Sequence, residues 1–286
     1  MTRAAALAAL AMIAAPIAAA QVPATMPVAS DPATSFRWTG QTIQGGLIVA
    51  TAPRGSMSVT LDGASLPLSP DGRFLVGFDR DAPPQATLIA ILADGRRVTQ
   101  LLTVAPRAWR IERLDRLPRF PAPDPVMAQL RPAELAQIVA ARAQATSADG
   151  WRQPFVWPAI GRISGLFGAQ RIYRGEPGSY HSGTDIAKPT GSPVVAPADG
   201  VVILAADRPF TLEGNLLMID HGNGLNSAFL HLSRTAVKVG DAVRQGQTIG
   251  EVGATGRATG PHLHWSLRWR DARLDPMLVA GTMPDG

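Results

Sequence analysis

The chain has 286 residues, with 27 Lys+Arg against 22 Asp+Glu for a formal charge of +5, and it has no cysteine. The missing cysteines exclude a disulfide framework, a Cys-ligated metal site, an iron–sulfur cluster and a thiol nucleophile. At 46% hydrophobic and 17% charged it can bury a real core, and 28 Gly with 25 Pro fit a turn-rich β protein better than a helical bundle. The basic excess is mild and forms no long tract, so no nucleic-acid partner is expected.

Residues 1–3 carry a positive charge, residues 4–20 carry none, and Ala18 and Ala20 form a small-residue pattern before Gln21. This reads as a signal peptide, 1–20, cleaved after Ala20. The apolar run is short, alanine-dominated and interrupted by Pro16. It falls short of the ~20 apolar residues that span a bilayer, so no stable membrane insertion is expected after cleavage. The expected location is periplasmic or cell-envelope, after secretion across the inner membrane.

Residues 21–35 are Pro/Ala/Ser/Thr-rich and read as a flexible lead. Over 36–105, short β-runs alternate with Asp62-Gly63, Asp71-Gly72 and Asp94-Gly95. Asp-Gly between apolar runs is a hairpin signal, because glycine accepts the positive φ that primed turns need. The expectation is a small β-sandwich-like accessory domain. Residues 106–150 form an Arg/Pro-rich connector and a helix. Arg107, Arg110, Arg113, Arg116 and Arg119 read as solvated, and the helix is expected over 132–148. Pro132 would sit in its first turn, Leu135, Ile138, Val139 and Arg142 on one face, and Asp149-Gly150 at its end. From Trp151 the chain is Gly-rich and strand-rich, and all five histidines, at 181, 221, 231, 262 and 264, lie in this last part.

Three short segments there carry chemistry. His181-Ser-Gly-Thr-Asp185 offers a nitrogen and an oxygen ligand of the kind zinc takes. An extended strand would hold positions four apart at about 13 Å, so the pair needs a bend, which Gly183 permits. In PHLHWSLRW, positions two apart share a strand face. His262, His264, Ser266 and Arg268 would point one way, and Leu263, Trp265, Leu267 and Trp269 into a core. His231, in FLHLS, follows the Asn223-Gly224 turn and becomes a candidate acid/base beside the others.

HSGTD, FLHLS and GATGRATGPHLHW resemble the signature segments of the lysostaphin-type (LytM-like) zinc peptidoglycan endopeptidases. The resemblance covers about residues 157–276 and includes APADGVV, IDHGNG, VKVGDAVRQGQTIG and Leu274-Asp275-Pro276. It implies a mainly β fold: a C-terminal antiparallel β peptidase domain, 151–286, preceded by the β-sandwich-like domain and helical linker. It implies one Zn2+ per chain, held by His181, Asp185 and His264, with His231 and His262 serving catalysis. Such a ligand set leaves a fourth position open for water, as catalytic zinc sites do. The implied substrates are peptidoglycan peptide stems and cross-links. The sequence departs from the family at Phe229, where Tyr is usual, and in the loop IYRGEPGSY before His181. His221 reads as structural. The alternative function is a catalytically silent activator or binding module for other wall hydrolases, which would need a missing ligand. A biotinyl or lipoyl carrier would need a lysine at the VKVGDAVRQGQTIGEV hairpin tip, and none follows Lys238.

Overall fold

The computed structural model describes residues 34–116 and 125–284. The expected signal peptide, nearly all of the flexible lead, and Arg119 lie outside the described residues.

The first seven strands are β1 (Arg37–Gly40), β2 (Leu47–Thr51), β3 (Ser56–Leu61), β4 (Ala64–Leu66), β5 (Arg73–Gly77), β6 (Gln85–Leu92) and β7 (Arg97–Thr103). They form two antiparallel sheets, ordered β1-β2-β5 and β4-β3-β6-β7. Alternation decides what each strand buries. Ile48 and Ala50 of β2 and Ala86, Leu88 and Ala90 of β6 point inward, and join Val59, Phe74, Val76 and Leu102 in one apolar cluster. The Asp62-Gly63 turn has φ of 47° and 85°, the two positive values a type I′ hairpin requires.

The connector is less solvated than its arginine spacing suggests. Arg107 lies over the neighbouring Trp109 ring and pairs at 2.8 Å with the buried Asp275, a partner from distant sequence, whereas Arg110, Arg113 and Arg116 are exposed as expected. Strand β8 (Ile111–Leu114) runs parallel to β10 (Gln170–Tyr173), so this stretch is part of a sheet.

Helix α1 spans Pro125–Arg142, earlier at both ends than expected. The proline at its first position is Pro125, and Pro132 lies inside. It stops at Arg142 because the backbone N–H and hydroxyl of Thr146 donate to the Asp220 carboxylate, at 3.1 and 2.6 Å, and draw the chain off the helical path. The buried face is Glu134, Ile138 and Ala141, whereas Leu135 and Val139 are exposed. Polar anchors set that rotation. Glu134 accepts the N–H and hydroxyl of Thr211, and Arg131 grips Glu213 with two guanidinium nitrogens.

The remaining strands are β9 (Arg162–Gly165), β10, β11 (Glu176–Pro177), β12 (Thr184–Ala187), β13 (Pro193–Val195), β14 (Gly200–Ala205), β15 (Asn215–Gly222), β16 (Leu225–Leu232), β17 (Arg234–Thr235), β18 (Ala242–Val243), β19 (Thr248–Glu251), β20 (His262–Trp269) and β21 (Ala272–Leu274). A short helix, α2 (Pro276–Ala280), follows. The main sheet is antiparallel and ordered β18-β14-β15-β16-β20-β12-β9, with β21 on β20. One face buries Leu217, Ile219, Phe229, Trp265 and Leu267. The other packs Leu216, Met218 and Ala228 under Ile138 and Ala141 of α1. The fold is mainly β, as the sequence suggests.

The front sheets dock on this sheet through specific contacts. Arg80, 6% exposed, lies between the Trp109 and Tyr180 rings and donates to the Gly168 carbonyl and the Gln170 side chain. Arg152 holds both oxygens of Asp71, and the Gly77 backbone faces Leu274 and Trp269. Among the described residues, no helix is long and apolar enough to cross a membrane.

Candidate metal centre

Register brings the first two candidate ligands together. Asp185 on β12 lies directly opposite His264 on β20, so both side chains leave the same face. His181 sits in the loop before β12, and the bend at Gly183 turns it back over Asp185. Three atoms then form a near-equilateral triangle. His181 Nε2 is 3.0 Å from both Asp185 Oδ1 and His264 Nδ1, and His264 Nδ1 is 2.8 Å from Asp185 Oδ1.

Hydrogen bonds to the backbone fix the imidazole tautomers. His181 Nδ1–H donates to the Leu166 carbonyl at 3.0 Å, His231 Nδ1–H to Thr255 at 2.8 Å and His262 Nδ1–H to Gly260 at 2.8 Å. A carbonyl can only accept, so in each neutral ring Nε2 is left with its lone pair free. The His231 and His262 rings lie 4.8 Å apart, tilted by 49°, the His231 and His264 rings are 6.2 Å apart, and His262 Nε2 lies 3.8 Å from Asp185 Oδ1. All five singled-out residues therefore converge. His221 does not join them.

His231 arrives by an irregularity. In a regular strand it would share the face of Phe229, which is fully buried in the core. Instead the β15–β16 register shifts between Asn215 and Leu217, and His231 adopts φ 64°. This bulge turns its ring onto the face of His264. Phe229 points away from the site, so the absent tyrosine hydroxyl touches none of this chemistry.

Burial disfavours the charged imidazole at His231, pushing its pKa down to about 4, and lowers that of His264. At His181, burial is outweighed by the Asp185 carboxylate, which raises the pKa. Burial also works against the Asp185 anion, yet the two histidine hydrogen bonds hold its carboxyl far below the usual range. An anionic carboxylate facing two imidazole nitrogens is a cation's ligand set. Donor atoms 2.8–3.0 Å apart lie close enough for one ion to touch all three at the ~2.0–2.2 Å of Zn–N and Zn–O bonds. Among the described residues, His181, Asp185 and His264 are the group with this disposition, and they fit zinc.

Two glycines that sequence reasoning passed over or read only in part leave room for this cluster. A Cβ on Gly183 would lie 2.5 Å from the Trp265 carbonyl and 2.6 Å from His264 Nε2. A Cβ on Gly165 would overlap the Asp185 carboxylate. A glycine inside a strand pattern was the available signal for Gly165. Gly183→Ala is expected to push His264 aside and weaken metal affinity by about 10–100-fold, the range for residues supporting a ligand. Zinc titration against a competing chelator measures this, and unchanged affinity would contradict the packing described.

His221 is fully buried and structural. Its Nδ1–H donates to the Asp199 carbonyl, Ser227 Oγ–H donates to its Nε2, both at 2.8 Å, and Trp265 Nε1–H donates to Ser227 Oγ at 3.3 Å. Burial pushes its pKa down to about 4. Its unfolded value is near 6.5. The unfolded chain thus takes up a proton that the folded chain refuses as pH falls from about 6.5 to 4. Stability from this group is complete above pH 6.5 and is lost through that window, by about 3 kcal/mol. His221→Gln is expected to flatten the fall in unfolding free energy between pH 7 and 4.5, measured in chelator. An equally steep fall in the variant would assign it to other groups.

Residues 179–276 match the model of Peptidase family M23. Peptidoglycan DD-endopeptidase ShyA of Vibrio cholerae is 43% identical over 120 residues, which are 41% of this chain and 27% of that protein. DD-carboxypeptidase/endopeptidase Mpg of Neisseria meningitidis is 41% identical over 128 residues, 43% of this chain and 28% of that protein. The chain thus spans about a quarter of the length of these curated relatives. A solved structure from Pseudomonas aeruginosa assigned to peptidase M23 superimposes with a TM-score of 0.63 at 28% identity. It covers 84% of this chain and 96% of its own, so the likeness extends beyond the site to the front sheets.

Proposed function

We propose that this chain is a secreted zinc metalloendopeptidase that hydrolyses the peptide cross-links of bacterial peptidoglycan. The observation that carries the reading is the convergence of one carboxylate and four imidazoles on one sheet face, three of them with Nε2 free. The names of ShyA and Mpg support a bond between D-residues as the target, D-Ala to meso-diaminopimelate in a wall of that type. The N-terminal signal pattern supports export to the periplasm or cell envelope. In this reading residues 36–105 are an accessory domain, 106–150 a connector and helix, and 151–286 the peptidase domain.

His181 Nε2, Asp185 Oδ1 and His264 Nδ1 hold the zinc. When bound, zinc supplies a Lewis acid that lowers the pKa of water to about 7 and polarises a carbonyl. The chain's own residues handle the protons. His231 and His262 each leave Nε2 available as a base, and their Nδ1–H bonds to Thr255 and Gly260 keep them so oriented. One accepts the proton of the attacking water. The other, once protonated at Nε2, hydrogen-bonds the oxygen on which charge develops.

A soluble cross-linked muropeptide dimer tests the reading. Zinc-loaded protein is expected to convert it to two monomers, and mass spectrometry of the new amine and carboxylate ends identifies the bond. An intact dimer after prolonged incubation would rule the reading out.

A further inference from the structure

A cavity of about 260 Å³ opens beside the metal ligands, between α1 and the main sheet. Its lining includes Ser182, His264 and Ser266 together with Arg142, Arg268 and Arg273. The last two are register partners on β20 and β21, two like charges set directly opposite each other. Such a pair is destabilising in a sheet. Arg142 adds a third guanidinium from the last turn of α1.

Arg142 and Arg268 are poorly compensated, whereas Tyr180 and Asp79 raise the pKa of Arg273. Arg268 reaches Asp271, a wholly exposed carboxylate where solvent screens the pair, and the Arg270 carbonyl. Arg273 lies against the Tyr180 ring, and the nearby Asp79 carboxylate accepts the Arg273 backbone N–H. Arg142 Nε is buried and has no acceptor among the described residues, a cost of about 1–3 kcal/mol for a buried donor. Glu213 also lines the cavity, but Arg131 occupies both of its oxygens. Burial, then the charges of Arg268 and Arg273, push the Arg142 pKa down to about 10.

We propose that this cavity is a carboxylate-binding subsite, in which Arg142, Arg268 and Arg273 receive an acidic group of the substrate's peptide. The inference rests on the endopeptidase reading and names what that reading leaves open, the feature of the peptide the groove selects. Guanidinium groups match a carboxylate's two oxygens with paired N–H donors. The distance suits a peptide laid along the groove. Arg268 is four residues from His264 on one strand, about 13 Å of backbone. An acidic group held there belongs to a residue near the scissile bond and not at it, so the subsite fixes the register in which the cross-link enters.

The test uses the full zinc-loaded chain and two probes. One is the soluble stem tripeptide of peptidoglycan with its carboxylates free, and the other is the same peptide with every carboxylate amidated. Calorimetry on the wild type is expected to show the free form binding at least about tenfold tighter, the scale of a charge-assisted contact. In R142Q and R268Q the ratio is expected to fall toward one while zinc content holds. The two variants lie on different elements, so misfolding of one leaves the other as the test. Equal binding of both probes by the wild type, no saturable binding, or a ratio preserved in both variants would overturn the subsite. Hydrolysis of the cross-linked dimer, run in parallel, separates the two claims. A carboxylate preference without hydrolysis overturns the endopeptidase reading, and hydrolysis without preference overturns the subsite.

Discussion

His264→Ala and Asp185→Asn proteins are expected to lose the metal and to slow by about 10³-fold or more. The first removes one of three donors in a triangle with edges of 2.8–3.0 Å, and the second strips the charge from another. Two ligands do not retain zinc as three do, and the Lewis acid is worth several kcal/mol to the transition state, with each ~1.4 kcal/mol a factor of ten in rate. Asp185→Asn is the more telling change, because the amide keeps the shape and a carbonyl oxygen while losing the anion that offsets the cation. Elemental analysis of protein purified without added metal reads the first effect, and initial rates on a cross-linked dimer read the second. Full zinc occupancy in the His264→Ala protein would remove His264 from the ligand set.

His231→Ala and His262→Ala are expected to behave differently, keeping zinc while losing about 10²–10⁴-fold in turnover, the usual worth of a positioned acid or base. Their rings lie 4.8 Å apart, and neither supplies a corner of the donor triangle. The loss should appear in kcat more than in KM, since proton transfer and oxyanion stabilisation act in the transition state. Zinc loss in either variant would make that histidine a ligand, and an unchanged rate would remove it from the chemistry.

The candidate metal site was legible in the sequence where chemistry depends on local spacing. Alternation in PHLHWSLRW puts His262 and His264 on one face, and they lie opposite Ala187 and Asp185. The H-x-x-x-D pair needs a bend, and the chain bends at Gly183. His231 was not legible in this way. Its identity drew attention, but strand periodicity alone would send it into the core, and only the bulge at φ 64° turns it to the site. Gly165 and the Leu166 carbonyl, which make room for Asp185 and orient His181, come from the end of β9 and the residue after it, outside the motif itself. The start of α1 failed for a similar reason. Both Pro125 and Pro132 fit a first helical turn, and the anchors that fix the helix, Glu213 and Thr211, lie about 80 residues further on. Long-range partners likewise took Arg107 out of solvent.

The front sheets bear on the site through Arg80. It donates to the Gly168 carbonyl, while the Gly168 N–H donates to the His181 carbonyl and the His181 N–H to Ala169. They therefore brace the loop that carries His181, a candidate metal ligand.

Digestion of purified sacculi tests the account most directly. The protein is stripped of metal, and one portion is reloaded with zinc before both are incubated with the wall polymer and the soluble products weighed. The account predicts that cross-linked dimers fall and monomers rise only in the zinc-reloaded reaction, with every sugar linkage intact. Dimers that persist in both reactions, or fragments released by cleavage of the glycan, would contradict it.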